Sequence, residues 1–289
     1  MSRVSTWFEN LFLSCTTIIK VLILSKLKIE IPSRTHEKPL LILANGPSLT
    51  SQINGISDIK NYDLISVNNF PLTPYYKSLK PFAHVMVAPE YWIKGVNEDY
   101  IQNRNALFKA LKEDTNWNII LFFPYLARNY RKVYNPLFEN KNIRICYFNP
   151  TPIDGFKKIN FWLMHRNLGM PRPHNVLIPS LILALNLGFK EIGLLGADHS
   201  WLNDIWVDEN NQVLLTQKHF YDEDTAKALP MTKKGSGKRK LHEVLLKFHY
   251  SFRSYFLIKD YSIKLQAKIY NLTKGSYIDA FERDGKLIK

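Results

Sequence analysis

The chain has 289 residues, 46% of them hydrophobic and 22% charged. These proportions exclude a largely disordered chain and leave ample material for one large α/β core. Lys and Arg number 39 against 25 Asp and Glu, a net charge of +14, and so basic a balance favours anionic partners: nucleic acid, an acidic membrane face or phosphorylated ligands. The two cysteines, Cys15 and Cys146, cannot supply a CxxC pair or a four-ligand zinc site; no disulfide framework is expected, and a reducing cytoplasm is the simplest compartment.

In chain order, residues 7–31 (WFENLFLSCTTIIKVLILSKLKIEI) are apolar but interrupted by Lys20, Lys26 and Lys28. A spanning helix wants about 20 uninterrupted apolar residues, and a secretory signal wants a positive start and a small-residue cleavage site. The segment, within 1–34, therefore reads either as a helix lying in a membrane interface with snorkelling lysines or as a core or oligomer-forming helix. The remainder, 38–289, alternates strands and helices. Strands are expected at 38–44 (KPLLILA), 63–69 (DLISVNN), 82–88 (FAHVMVA), 118–123 (NIILFF), 142–148 (NIRICYF) and 191–195 (EIGLL), with a last helix-to-strand unit at 262–270. Residues 175–187 read as a helix that Gly188 would cap. The pattern predicts a Rossmann-like, doubly wound parallel sheet of about seven strands. A composition shift at 199–241 (DENNQ, HFYDED, TKKGSGKRK) predicts a charged lid inserted before the final unit.

In such sheets ligands bind at the carboxyl edge of the strands, near the topological switch point, so residues distant in sequence should converge there. Asn45-Gly46-Pro47-Ser48 follows the first strand: glycine permits close backbone approach to a phosphate, and Ser48 is suited to cap the next helix. It is neither a Walker loop nor GxGxxG, and a purely structural turn would read the same way. Asn68 and Asn69 end the second strand, where paired amides can read a base or sugar, although Asn-Asn also marks plain turns. The segment from Gly196 through Asp198, His199, Ser200 and Trp201 clusters a carboxylate, an imidazole, a hydroxyl and an indole. Asp222-Glu223-Asp224 contains DxD but follows no strand and reads as a solvated lid face.

His219, in Lys218-His219-Phe220-Tyr221, is the candidate general base, since an imidazole titrates near neutrality and lid closure could desolvate it. His36, His84, His165, His242 and His249 have no supporting context and are expected to be surface or core residues. The run 232–240 (TKKGSGKRK), in which five of nine residues are Lys or Arg, could clamp a pyrophosphate, a lipid-linked acceptor or an anionic membrane face, or be a solvated loop. No interleaved aromatic platform accompanies it, so no nucleic-acid partner is expected. Asn271 to Ser276 follows the last strand and suits nucleotide recognition or a structural turn. No metal ligands are expected.

Taken together, LILANGPSL, DLISVNNF and ALNLGFKEIGLLGADHSW resemble the bacterial sialyltransferases of glycosyltransferase family 42, from about residue 38 onward. The wider set sharing NGPS and LGFKEI…GAD includes the MptE-like pterin diphosphokinase proteins. The first resemblance implies a GT-A-like variant of the sheet and a metal-independent glycosyltransferase with no cofactor. That enzyme would move sialic acid or a related ulosonic acid from a CMP-activated donor to a lipooligosaccharide or capsule acceptor. It also implies a site: Asn45, Gly46 and Ser48 with Asn68 and Asn69 toward the donor, Asn175 in place of a threonine–serine pair, and His219 as lid base. Gly196, Asp198 and Ser200 stand at the later turn, Tyr221 replaces a phosphate-holding tyrosine, and Asn271 and Ser276 lie near the cytidine-binding turn. Ser200 and Trp201 stand where the family has tyrosine, so the sugar and phosphate contacts are rebuilt. The implied setting is the cytoplasmic face of a bacterial inner membrane, with peripheral contact to anionic lipid and a homo-oligomeric state. A diphosphokinase would instead need Mg-ATP and a carboxylate cluster drawn from Asp63, Glu90 and Asp198. A third alternative is a non-catalytic membrane-peripheral binding protein.

Overall fold

The computed structural model describes residues 3–32, 37–216, 218–221, 228–233, 237–283 and 287. The DxD triplet 222–224, residues 234–236 of the basic run and His36 lie outside the described residues. Helix α1 (Arg3–Leu24) precedes an alternating series: β1 (Leu40–Leu43), α2 (Leu49–Asn54), β2 (Asp63–Val67), α3 (Tyr75–Leu79), β3 (Ala83–Val85), α4 (Glu98–Asp114), β4 (Ile119–Pro124) and β5 (Ile143–Phe148). It continues through α5 (Lys157–His165), α6 (Leu177–Leu187) and β6 (Glu191–Leu195). Short strands follow: β7 (Ile205–Val207), β8 (Val213–Thr216), β9 (Ala228–Pro230), β10 (Thr232–Lys233) and β11 (Gly237–Lys238). The last elements are α7 (Leu241–Lys264) and β12 (Lys268–Asn271).

Seven strands form one parallel sheet in the order β12-β6-β1-β2-β3-β4-β5. The chain winds outward from β1 to β5, then returns to place β6 on the other side of β1, so the strand order reverses between β1 and β6. A parallel sheet is covered on both faces and its central strands are apolar throughout; the LLIL of β1 is completely buried. Leu40 and Ile42 join a core built with α5, α6, α7 and Val21 of α1. Leu41 and Leu43 join a second core built with α2, α3 and α4. The doubly wound α/β architecture expected from the alternation is thus present. α6 ends at Gly188 with φ +103, the left-handed C-cap that glycine adopts without strain.

Two elements differ from the sequence reading. The segment after β6 is not simply a charged excursion: β7, β8 and β9 form an antiparallel sheet, and alternate residues Val213 and Leu215 pack with Val244 and Phe248 of α7 in a small core of their own. The final helix is also longer than its 262–264 tail suggested, beginning at Leu241.

Candidate functional site

A cavity of about 620 Å³ opens at the carboxyl edge of the sheet, over the β1–β6 switch point. Two turns form its floor. After β1 the Gly46 N–H donates to the Gly196 carbonyl at 2.7 Å, and the Ala44 N–H donates to Leu195 at 2.9 Å. The approach is so close that a Cβ at Gly46 would fall on Asp198 Oδ2 and within 2.5 Å of the Gly196 oxygen. Gly196 itself has φ +64 and sits against Leu49 and the Ala44 carbonyl. Both glycines therefore serve one purpose, the fusion of two strand-end turns. Ser48 does not cap α2 as expected; its hydroxyl donates to Asp198 Oδ2 at 2.9 Å. Burial pushes the Asp198 carboxyl up, and the Ser48 bonds pull it back down.

Ten of the residues singled out in the sequence line this one cavity: Asn45, Gly46, Asn68, Asn69, Asn175, Gly196, Asp198, Ser200, His219 and Tyr221. Asn68 adopts a left-handed backbone (φ +51) that asparagine tolerates. Asn69 Oδ1 accepts from the Tyr91 hydroxyl at 3.1 Å and from Asn103 Nδ2 at 3.3 Å. The segment carrying His219 is tied to the first turn, because the Phe220 N–H donates to the Asn45 carbonyl at 3.1 Å and its ring meets Phe70. His219 stacks on Tyr221, rings nearly parallel at 5.1 Å. Residues 174 positions apart in sequence, 45 and 219, thus share one wall.

Asn271 and Ser276 are not among the lining residues. Their polar atoms are spent in the loop: Asn271 Nδ2 donates to the Ile278 carbonyl, Asn271 Oδ1 accepts from the Thr273 N–H, and the Ser276 hydroxyl donates to the Ala197 carbonyl at 2.6 Å. They fasten the 271–278 loop beneath the β6 turn, a structural rather than a lining position. His84, expected to be inert, is buried in the core against the Ser66 hydroxyl at 2.9 Å.

The opposite wall comes from α6 and α7. Asn175 Oδ1 accepts from the backbone N–H of Leu177 and Ile178 at 3.0 and 3.2 Å, satisfying the start of α6, and also from the Tyr255 hydroxyl at 3.2 Å. Because the single Tyr255 proton goes to that oxygen, the 2.6 Å contact between Tyr255 and His199 Nε2 requires His199 to carry its proton on Nε2. Burial pushes His199 down to about 3 and favours its neutral imidazole, which Tyr255 holds in place. Asn175 Nδ2 and Asn45 Oδ1 are buried and have no partner among the described residues, although buried amide atoms normally find one.

One group of lining residues carried no signal in the motif reading. His174 and Lys247 line the cavity, with Arg172 and Tyr250 beside them: Arg172 lies over the Tyr250 ring at 4.8 Å, and His174 stacks on it at 5.9 Å. Burial, then Lys247, Arg172 and Arg239, push His174 down to about 4; burial, then Arg239, lower Lys247. Among the described residues no carboxylate pairs with Arg172, Arg239 or Lys247, and His174 Nε2 and Arg239 Nε lack partners. A cationic, partly desolvated corner results. The one available hint was Pro173-His174-Asn175 directly before a predicted helix start.

Among the described residues no three His, Cys, Asp or Glu side chains come together as a metal-holding group. Three carboxylates line the cavity, Glu90, Asp198 and Asp204; Asp198 accepts from Ser48 and Asp204 pairs with Lys218, each at 2.9 Å.

No protein-family model and no curated protein matches the sequence. Among solved structures the chain is similar to the MAf glycosyltransferase from Magnetospirillum magneticum AMB-1, with 11% identity and a TM-score of 0.47, over 96% of this chain and 38% of that one. The chain spans little more than a third of that protein's length. A likeness so distant carries no argument about chemistry; the fold stands on the sheet described above.

Proposed function

We propose that the chain is a glycosyltransferase that uses an anionic nucleotide-sugar, CMP-linked sialic acid or a related ulosonic acid, and a bacterial surface-glycan acceptor. The observation that carries this reading is the pairing, in one cleft, of buried amide atoms with cations, neither of which meets a partner among the described residues. Asn45 Oδ1 offers an acceptor and Asn175 Nδ2 a donor, both buried and unmatched among the described residues, while Arg172, Arg239 and Lys247 act on His174 and pair with no carboxylate among the described residues. A ligand that satisfies all of these has hydrogen-bonding edges and negative charge, as a nucleotide-sugar does.

In the proposed reaction the acceptor hydroxyl attacks the anomeric carbon. His219 takes the hydroxyl proton as the new carbon–oxygen bond forms, and the bond from that carbon to the donor's phosphate oxygen breaks. CMP departs as an anion, and the cationic corner stabilises it. Lys218, paired with Asp204, and Tyr221, stacked on the imidazole, hold the segment that carries the base.

Calorimetric titration with CMP, CDP, UDP, GDP and ATP, in EDTA and again with Mg²⁺, tests the reading. CMP binding that is indifferent to EDTA is expected. Binding of ATP only with Mg²⁺ would overturn it in favour of a diphosphokinase, and no nucleotide binding at all would leave a non-catalytic protein. In a transfer assay, His219→Ala is expected to lower kcat by a factor of about 10² to 10⁴, with CMP affinity retained. Undiminished transfer by the folded variant removes His219 from the base role.

A further inference from the structure

Helix α1 is inverted relative to an ordinary surface helix. The stripe it turns toward the protein is polar or small: Asn10, Ser14, Thr17 and Val21, spaced four, three and four residues apart. Ser14 Oγ accepts from the Phe156 N–H at 2.9 Å, and Thr17 Oγ1 both donates to the Asp154 carbonyl and accepts from the Asp154 N–H at 2.9 Å. Gly155 lies so close that a Cβ there would strike Ser14 and the Asn10 carbonyl. Just past the helix, the Lys26 N–H and carbonyl both bond the Asn149 side chain, at 3.0 and 2.9 Å. The side turned outward is apolar: Phe8, Phe12, Ile19, Leu22 and Ile23 are exposed, Ile23 to 74%, while Trp7 sits at the domain edge against Phe156.

We infer that α1 lies flat in the surface of an anionic bilayer, its Phe12–Ile19–Ile23 side in the acyl region and its Ser14–Thr17 side on the domain. The docked stripe from Asn10 to Val21 is about 17 Å long. A helix held lengthwise in this way cannot also cross a bilayer without stripping those hydrogen bonds and carrying Asn10, Ser14 and Thr17 into hydrocarbon. Charge selects the occupant. Lys20 and Glu9 flank the apolar side, Lys26 and Lys28 follow the helix, and Lys157, paired with Asp260, and Lys158 open α5 immediately after the Asp154–Phe156 loop on which α1 rests. Such a rim complements anionic headgroups, with Trp7 suited to the headgroup level. A second copy would set the same cations against themselves in a chain of net charge +14. The inference is independent of the reaction proposed above.

Cys15 is exposed on this helix while Cys146 is buried, so the chain carries its own reporter. The full chain is floated with vesicles of phosphatidylcholine alone and of phosphatidylcholine with phosphatidylglycerol, and Cys15 is challenged with a water-soluble maleimide. Flotation with the phosphatidylglycerol vesicles, weakened by salt and accompanied by protection of Cys15, is expected. The triple variant Phe12→Glu, Ile19→Glu, Ile23→Glu is expected to stay unbound while keeping the wild-type circular dichroism and CMP titration. Flotation of the triple variant like wild type, or no flotation of wild type, overturns the inference. So does light scattering that shows a lipid-free dimer dissolved by the same substitutions, since a second copy would then cover the face. Protease protection of an N-terminal tag inside the vesicles also overturns it, by showing that α1 spans.

Discussion

A single methyl group decides whether the floor of the cleft can exist. At Gly46 any Cβ meets the Asp198 carboxylate and the Gly196 carbonyl, and the second of these is backbone that cannot swing aside. Gly46→Ala is therefore expected to cost about 1 to 3 kcal/mol in urea unfolding, as overpacking typically does, and to abolish nucleotide binding. A variant as stable as wild type would show that the two turns can separate without penalty. His199 and His219 illustrate at the same scale how environment divides one residue type. The first is locked by Tyr255, stacked on Trp201 at 4.1 Å and kept neutral by burial. The second lies at the cavity wall beside Tyr221.

At the scale of an element, Asn175 couples the start of α6 to the cleft, and its two side-chain atoms do separate work. Oδ1 serves the helix N–H groups and Tyr255, whereas Nδ2 is unmatched among the described residues. Asn175→Ala is expected to lose about 1 kcal/mol of stability, as removal of a helix cap does, together with ligand affinity. Asn175→Asp keeps the accepting oxygen and the N-terminal carboxylate suits the helix dipole, so stability is expected to return while CMP affinity stays low. Denaturation and titration of the two variants check this; full CMP binding by Asn175→Asp would remove the Nδ2 contact. The β7–β8–β9 sheet is a second such element: it packs on α7, and Phe220, between β8 and β9 in sequence, bonds the first turn.

At the scale of the whole molecule, neutral histidines link the core and the cleft to pH. His84 and His199 are held down to about 3, and His174 to about 4, against an unfolded value of about 6.5. Each folded-state pKa lies below the unfolded one, so as pH falls the unfolded chain takes up protons first. Their stabilisation is complete above about pH 6.5 and is lost as pH falls toward 4 and then 3. For the fully buried pair His84 and His199, each pH unit in that window costs about 1.4 kcal/mol apiece. Asp198, raised by burial, works in the opposite sense. Tm is thus expected to fall steadily between pH 6.5 and 4.5 in thermal unfolding, and a flat profile would show that these imidazoles are charged in the fold.

The sequence by itself determined the parallel sheet, since buried strands must be apolar on both faces and KPLLILA, NIILFF and EIGLL announce themselves by composition alone. It also determined that Asn45, Asn68 and Asp198 would meet, because each ends a strand and parallel strands share one carboxyl edge. It marked α1 as an apolar helix. Tertiary structure alone decided the rest. The 271–276 loop looked like a binding turn, but only its hydrogen bonds to Ile278 and Ala197 show its polar atoms already spent. The Val213–Leu215 alternation was hidden within a charged stretch, and its burial depends on α7, which follows it in sequence. The cationic corner draws Arg172, His174, Arg239 and Lys247 from two helix starts and a hairpin, and no spacing rule relates them. Which side of α1 faces the protein followed from Gly155, Asp154 and Asn149, more than a hundred residues away. Local pattern reports what a segment can bury; only packing reports against what it is buried, and therefore which polar atoms remain free for a ligand.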